Sequence, residues 1–79
     1  MDAEEIQHRI QQLVEREQSL RDTDPAGEPE QHADELRRVE EQLDQCWDLL
    51  RQRRARIDAG LNPDEAQPRP VGEVEGYRQ

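Results

Sequence analysis

Two stripes of apolar residues, separated by a break rich in proline and glycine, constrain this chain more than any other feature. Within residues 3–22, Ile6, Ile10, Leu13 and Leu20 recur at spacings of four, three and seven, with Val14 beside them and Glu17 at the skipped position. Within residues 30–60, Leu36, Val39, Leu43, Cys46, Leu50 and Ile57 recur at three, four, three, four and seven. Arg53 holds the skipped position, and Trp47 and Leu49 widen the face. A repeat of this period gathers side chains on one side of an α-helix, as when one helix seats against another. The residues between are mostly Glu, Gln, Arg, Asp and Ala, which a helix accepts. Asp24-Pro25-Ala26-Gly27-Glu28-Pro29 interrupts the pattern, and Pro29 suits a first helical turn, where a missing N–H costs nothing. Glu28, Glu30, Asp34 and Glu35 then crowd the positive end of the second helix dipole. Arg51, Arg53, Arg54 and Arg56 crowd its negative end, before a glycine, Gly60, able to take φ > 0. Two helices are predicted, over about 3–22 and 30–60, with a loop over about 23–29.

Their relative arrangement is also legible. If the helices fold back antiparallel, facing residues have numbers with a constant sum. Leu20 with Leu36, Leu13 with Leu43, Ile10 with Cys46 and Ile6 with Leu50 all satisfy this. The same register sets Asp2, Glu4 and Glu5 beside Arg51, Arg53 and Arg54, although exposed pairs of this kind contribute only about 0–1 kcal/mol each. The expected fold is all-α: an antiparallel two-helix hairpin over 1–60, then a partly ordered, Pro-containing C-terminal tail over 61–79. In that tail Asn62-Pro63-Asp64-Glu65 suits one further helical turn, and Pro68-Arg69-Pro70 an extended run. A lone hairpin has little core, and Trp47 and Leu49 beside the seam would stay partly exposed in a monomer. Self-association is therefore expected, most simply a homodimer forming a four-helix bundle.

Composition narrows the function classes. Seventy-nine residues are too few for two ordinary domains, and no apolar run approaches the roughly 18 residues of a membrane span. The acidic start MDAEEIQHRI has no apolar core of the kind a secretory signal needs. Cys46 is alone, so no intramolecular disulfide forms, which fits a cytoplasmic setting. A net charge of −9 makes free nucleic acid an improbable partner. That charge is uneven: residues 1–36 hold 11 acids and 3 arginines, giving −8, whereas 37–60 hold 5 acids and 6 arginines, giving +1.

Candidate chemistry is sparse. Glu5-x-x-His8 has the spacing of di-iron bundle ligands, but the apolar stripe puts both residues on the outer face. His32 reads as a surface residue. Cys46 lies on the seam with no His or Lys nearby to activate it, and reads as a small buried hydrophobe. Ser19 and Thr23 lack the partners a nucleophile requires, and the glycines are too scattered for a phosphate loop. No enzyme activity, metal or cofactor is expected. The Arg51–Arg56 run has two readings: compensation of the helix dipole with pairing to the acidic N-terminus, or an anchor for an acidic partner, a phosphorylated ligand or RNA. Arg53, at a seam position, can set register or reach a ligand between protomers. Trp47 reads as a core residue or an interface anchor. In the tail, Val71, Val74 and Tyr77 recur every three residues, as a strip that docks or as disordered chain.

The run Leu43-Asp44-Gln45-Cys46-Trp47-Asp48-Leu49-Leu50-Arg51-Gln52-Arg53-Arg54-Ala55-Arg56, then Ala59-Gly60-Leu61-Asn62-Pro63 and Val74-Glu75-Gly76-Tyr77, resembles a family of short actinobacterial proteins catalogued as a domain of unknown function. The resemblance implies a helical, cytoplasmic protein whose tail belongs to the functional unit, and it implies no activity. The residues themselves point to a non-enzymatic interaction or regulatory protein acting through a bundle surface that includes Trp47, Leu50, Arg51, Arg53, Arg54 and Tyr77. The alternatives are a regulator that binds a phosphorylated nucleotide through the arginines and, third, an RNA-associated protein.

Overall fold

The computed structural model of the chain describes residues 1–70. It is an antiparallel helical hairpin: α1 (Ala3–Asp22), a loop, α2 (Pro29–Asp58), then a 3-10 turn at Pro63–Glu65 and an extended run to residue 70. The start of α1 is fixed by Asp2, whose side chain accepts from the Glu5 N–H at 2.8 Å. That hydrogen bond, with the Arg53 charge nearby, lowers the Asp2 carboxyl below its usual range. In the loop, Ala26 and Gly27 both take positive φ, at 52° and 87°, and the Asp24 side chain accepts from the Ala26 N–H at 3.1 Å. An Asp carboxylate that satisfies the turn's own N–H supports this conformation. Pro29 opens α2, as its fixed φ favours.

The second helix ends at Asp58, two residues before the expected boundary, because the chain closes there into a Schellman cap. Leu61 N–H donates to the Arg56 carbonyl at 2.7 Å and Gly60 N–H to the Ile57 carbonyl at 3.1 Å, with Gly60 at φ +74°. A β-carbon on Gly60 would meet nothing within 4 Å, so only the backbone conformation opposes substitution. Gly60→Ala is expected to cost about 1 kcal/mol in a denaturant titration; an unchanged midpoint would remove the cap from the account of why α2 stops.

The core follows the predicted register. Ile6, Ile10 and Leu13 of α1 are buried with Val39, Leu43, Cys46 and Leu49 of α2, and Val14, Leu20 and Leu50 pack at its margin. Arg16–Glu35 at 3.5 Å and Arg21–Glu40 at 2.9 Å link the helices on the surface. His32, expected on the surface, is half-buried, and its ring Nε2 donates to the Leu20 carbonyl near the end of α1. Ile57, expected in the seam, is exposed. The register that sets Ile6 against Leu50 leaves no α1 residue to face Ile57, which lies beyond the start of α1 at Ala3.

The two residues beside the seam part ways, for one reason. Leu49 was expected to remain partly exposed, yet it is buried. It is covered because the chain after Gly60 turns back along α2 and inserts Ala66 into the core cluster. Trp47, expected to stay partly exposed in a single hairpin, is 47% exposed, which goes against its core reading and leaves that of an interface anchor. The returning segment takes the opposite flank of α2 and leaves the Trp47 flank uncovered.

Candidate functional site

α2 presents three faces, and their separation decides what the predicted site residues do. Leu43, Cys46 and Leu50 face α1. Gln45, Leu49, Gln52 and Arg56, at spacings of four, three and four, meet the returning segment. Trp47 and Arg54, seven residues apart, lie on an outer face that neither packs against, and Glu40, seven residues before Trp47, lies at its edge, where Arg21 of α1 reaches it at 2.9 Å. At 3.6 residues per turn, residues seven apart nearly eclipse one another along the helix.

The returning segment is held by a buried ion pair. Asp48 is completely inaccessible to solvent. Arg69 grips it with both arms of its guanidinium: Nε donates to Oδ2 at 2.8 Å and Nη2 to Oδ1. Gln52 Nε2 donates to the same Oδ2 and to the Gln67 carbonyl, each at 2.8 Å, while Gln45 Nε2 donates to the Arg69 carbonyl at 3.2 Å. Arg51 Nη2 stands 3.7 Å from Asp48 Oδ1. The Arg69 hydrogen bonds, then that of Gln52 and the charges of Arg69 and Arg51, hold the Asp48 carboxyl below the usual range against the opposing effect of burial. Among the described residues no buried side-chain nitrogen or oxygen lacks a partner.

The arginine run is divided in the same way. Arg53 points inward and donates from Nη1 to the Met1 carbonyl at 2.8 Å and to Asp64 Oδ1 at 2.7 Å, tying the start of α1, α2 and the 3-10 turn together. Arg56 pairs with Glu65 at 3.6 Å. Among the described residues, the acidic N-terminus expected to receive these arginines is reached by Arg53, whose charge acts on Asp2, and carboxylates paired directly with the run include those of Asp48, Asp64 and Glu65. Arg54 is exposed and makes no ion pair within the described residues. Of the predicted site, Trp47, Arg51 and Arg54 share the outer side of α2, and Leu50 and Arg53 turn toward α1 and its start. Tyr77, with Val71 and Val74, lies outside the described residues.

Trp47 lines a shallow groove with Glu17, Glu40, Leu43 and Asp44. Cys46 is buried, and burial pushes its thiol up despite the neighbouring Arg9, so a reactive thiolate is disfavoured. Among the described residues no cluster of His, Cys, Asp or Glu could hold a metal ion, and no helix is long and apolar enough to cross a membrane.

Asp48, Gln52 and Arg69 were not among the residues singled out in the sequence. A signal was present: Gln45, Leu49, Gln52 and Arg56 form a second helical stripe, mixed rather than apolar, and two prolines hold Arg69 in an extended run. Such a stripe looks like a solvated face until the segment that covers it is known.

A family model described as "Protein of unknown function (DUF2630)" matches residues 2–79. The chain is 47% identical over 78 residues to two uncharacterized proteins, Mb0922c of Mycobacterium bovis and Rv0898c of Mycobacterium tuberculosis. Those alignments cover 96% of this chain and 88% of each relative. No solved structure matches the chain significantly.

Proposed function

The chain belongs to the DUF2630 family, and from its geometry we propose that it is a small, non-enzymatic interaction protein, with a cytoplasmic setting, whose contact surface is the outer face of α2 around Trp47. The observation that carries this reading is the contrast between the two flanks of α2. One flank is closed by the Asp48–Arg69 pair and Ala66, and the other leaves a half-exposed tryptophan beside an apolar seam. Tryptophan supplies more contact area per residue than any other side chain, and it is enriched among the few residues that carry the energy of an interface.

The arginines favour this reading over a phosphorylated nucleotide or RNA. A phosphate site needs several guanidinium groups converging on open space. Here Arg53 and Arg56 are directed at Asp64 and Glu65, and Arg51 lies beside Asp48. Trp47 fluorescence should therefore show no saturable change on titration with adenine or guanine nucleotides; a saturable change abolished by Arg54→Ala would overturn the interaction reading in favour of a ligand-binding one.

A direct test uses the full chain and Trp47→Ala as paired baits in lysate from the native cell. The wild-type bait is expected to retain a defined protein, another copy of the chain included, that the variant loses. Identical retention by both baits would remove Trp47 from the contact surface.

A further inference from the structure

The outer face of α2 has a charge order that is complementary to itself. Glu40 lies seven residues before Trp47 and Arg54 seven residues after it, so each charge sits about 10 Å from the ring position along the helix. Glu40 also accepts from Arg21 of α1 at 2.9 Å, and its side chain, 42% exposed, can receive a second guanidinium. When two copies of such a face meet about a two-fold axis through Trp47, the helices run antiparallel. Glu40 of each copy then stands opposite Arg54 of the other, and the two tryptophans meet at the axis. This is the requirement for an isologous contact, in which one patch is its own complement. Asp44 and Arg51 continue the same polarity, acid before the tryptophan and base after it.

We propose that the occupant of this face is a second copy of the same chain, docked antiparallel through α2 with Trp47 at the two-fold axis. The inference rests on the reading of the Trp47 face as a contact surface and goes beyond it in naming the partner and its orientation. The shape of the protein fits. It is a slab of 52 × 26 × 16 Å, long enough along the helices to bury the roughly 800 Å² per partner of a standard interface. The groove beside Trp47 includes Glu17 of α1, so the partner's α2 would lie against both helices and complete a four-helix arrangement. The contact is also directional. In a parallel docking in the same register Glu40 would face Glu40 and Arg54 would face Arg54, and repulsion at both ends selects against it.

Charge exchange within the full-length chain tests the geometry. Sedimentation equilibrium of the wild type is expected to show a monomer–dimer equilibrium, with Trp47 emission shifting to the blue as dimer forms. Arg54→Glu and Glu40→Arg should each weaken association at least about tenfold. The double variant carrying both changes should recover wild-type association to within about threefold, because every facing pair is again opposite in sign. Mixing the two single variants should also recover association, as a heterodimer. The Arg54→Glu copy is acidic at both positions and the Glu40→Arg copy basic at both, so both facing pairs are opposite in sign. In Glu40→Arg, Arg21 keeps Glu17 at 3.9 Å, and far-ultraviolet circular dichroism verifies the helices in every variant. A folded wild-type monomer at all concentrations overturns the proposal, whether Trp47 emission is exposed or shielded within the chain. So does a double variant no better than the singles. Neither result touches the interaction reading, which fails separately if the Trp47→Ala bait retains the same protein as the wild type.

Discussion

Arg69→Ala is expected to lower the unfolding free energy by about 3 kcal/mol, a large share of what a small domain possesses. The cost comes from what remains behind. Asp48 is fully buried and would keep only the Gln52 hydrogen bond and Arg51 at 3.7 Å to compensate its charge. The figure is set at the low end of the range for broken buried pairs because Arg69 itself is 27% exposed. Denaturant titration of the full chain measures the loss. Replacing both partners by apolar residues, Asp48→Leu with Arg69→Met, should recover most of it, since no stranded charge is left. A loss below about 1 kcal/mol would show that the returning segment is held by Ala66 and the amides rather than by the ion pair.

The same pair sets an acid limit. The folded-state carboxyl of Asp48 is held below the ordinary value of 3.8, so the folded chain binds this proton less readily than the unfolded chain does. Its stabilising contribution is therefore complete above that value and is lost as the pH falls through the lowered folded-state value. The gap in stability between the wild type and Arg69→Ala should accordingly be constant near neutrality and narrow in strong acid.

The second large effect is in the seam. Ile6 is completely buried, and Ile6→Ala should cost about 3–4 kcal/mol, combining lost burial with the cavity left against the core. Ile57→Ala removes a similar side chain from the equivalent stripe of α2, but Ile57 is 60% exposed, so its cost should stay within about 0.5 kcal/mol. Thermal unfolding of the two variants side by side checks both the register and its end. Comparable losses would mean that Ile57 is covered in solution, and would place an interface at the far end of α2.

These contrasts show how far the sequence could be read. Both helices, the break at Pro25 and Gly27, and the pairing of Ile6, Ile10 and Leu13 with α2 are legible because helix period and antiparallel register are local arithmetic on apolar positions. The role of the arginines was only half legible. Their place at the end of α2 is a matter of dipole and sequence, but Arg53 reaches Asp64 and Arg56 reaches Glu65 because the chain reverses at Gly60. No pattern within α2 could have announced which carboxylates would arrive there.

The sequence by itself determined the hairpin: which residues are helical, where the chain turns, and which stripes meet. Those outcomes follow from spacing, propensity and capping, each written within a few turns of chain. Only the tertiary structure decided the fate of the two flanks of α2. Residues 62–70 bury Leu49 and Asp48 on one flank and leave Trp47 exposed on the other. A mixed stripe of Gln, Leu and Arg is equally soluble bare or covered. Whether it is covered depends on one distant arginine and one carboxylate that satisfy each other only after the chain has folded back.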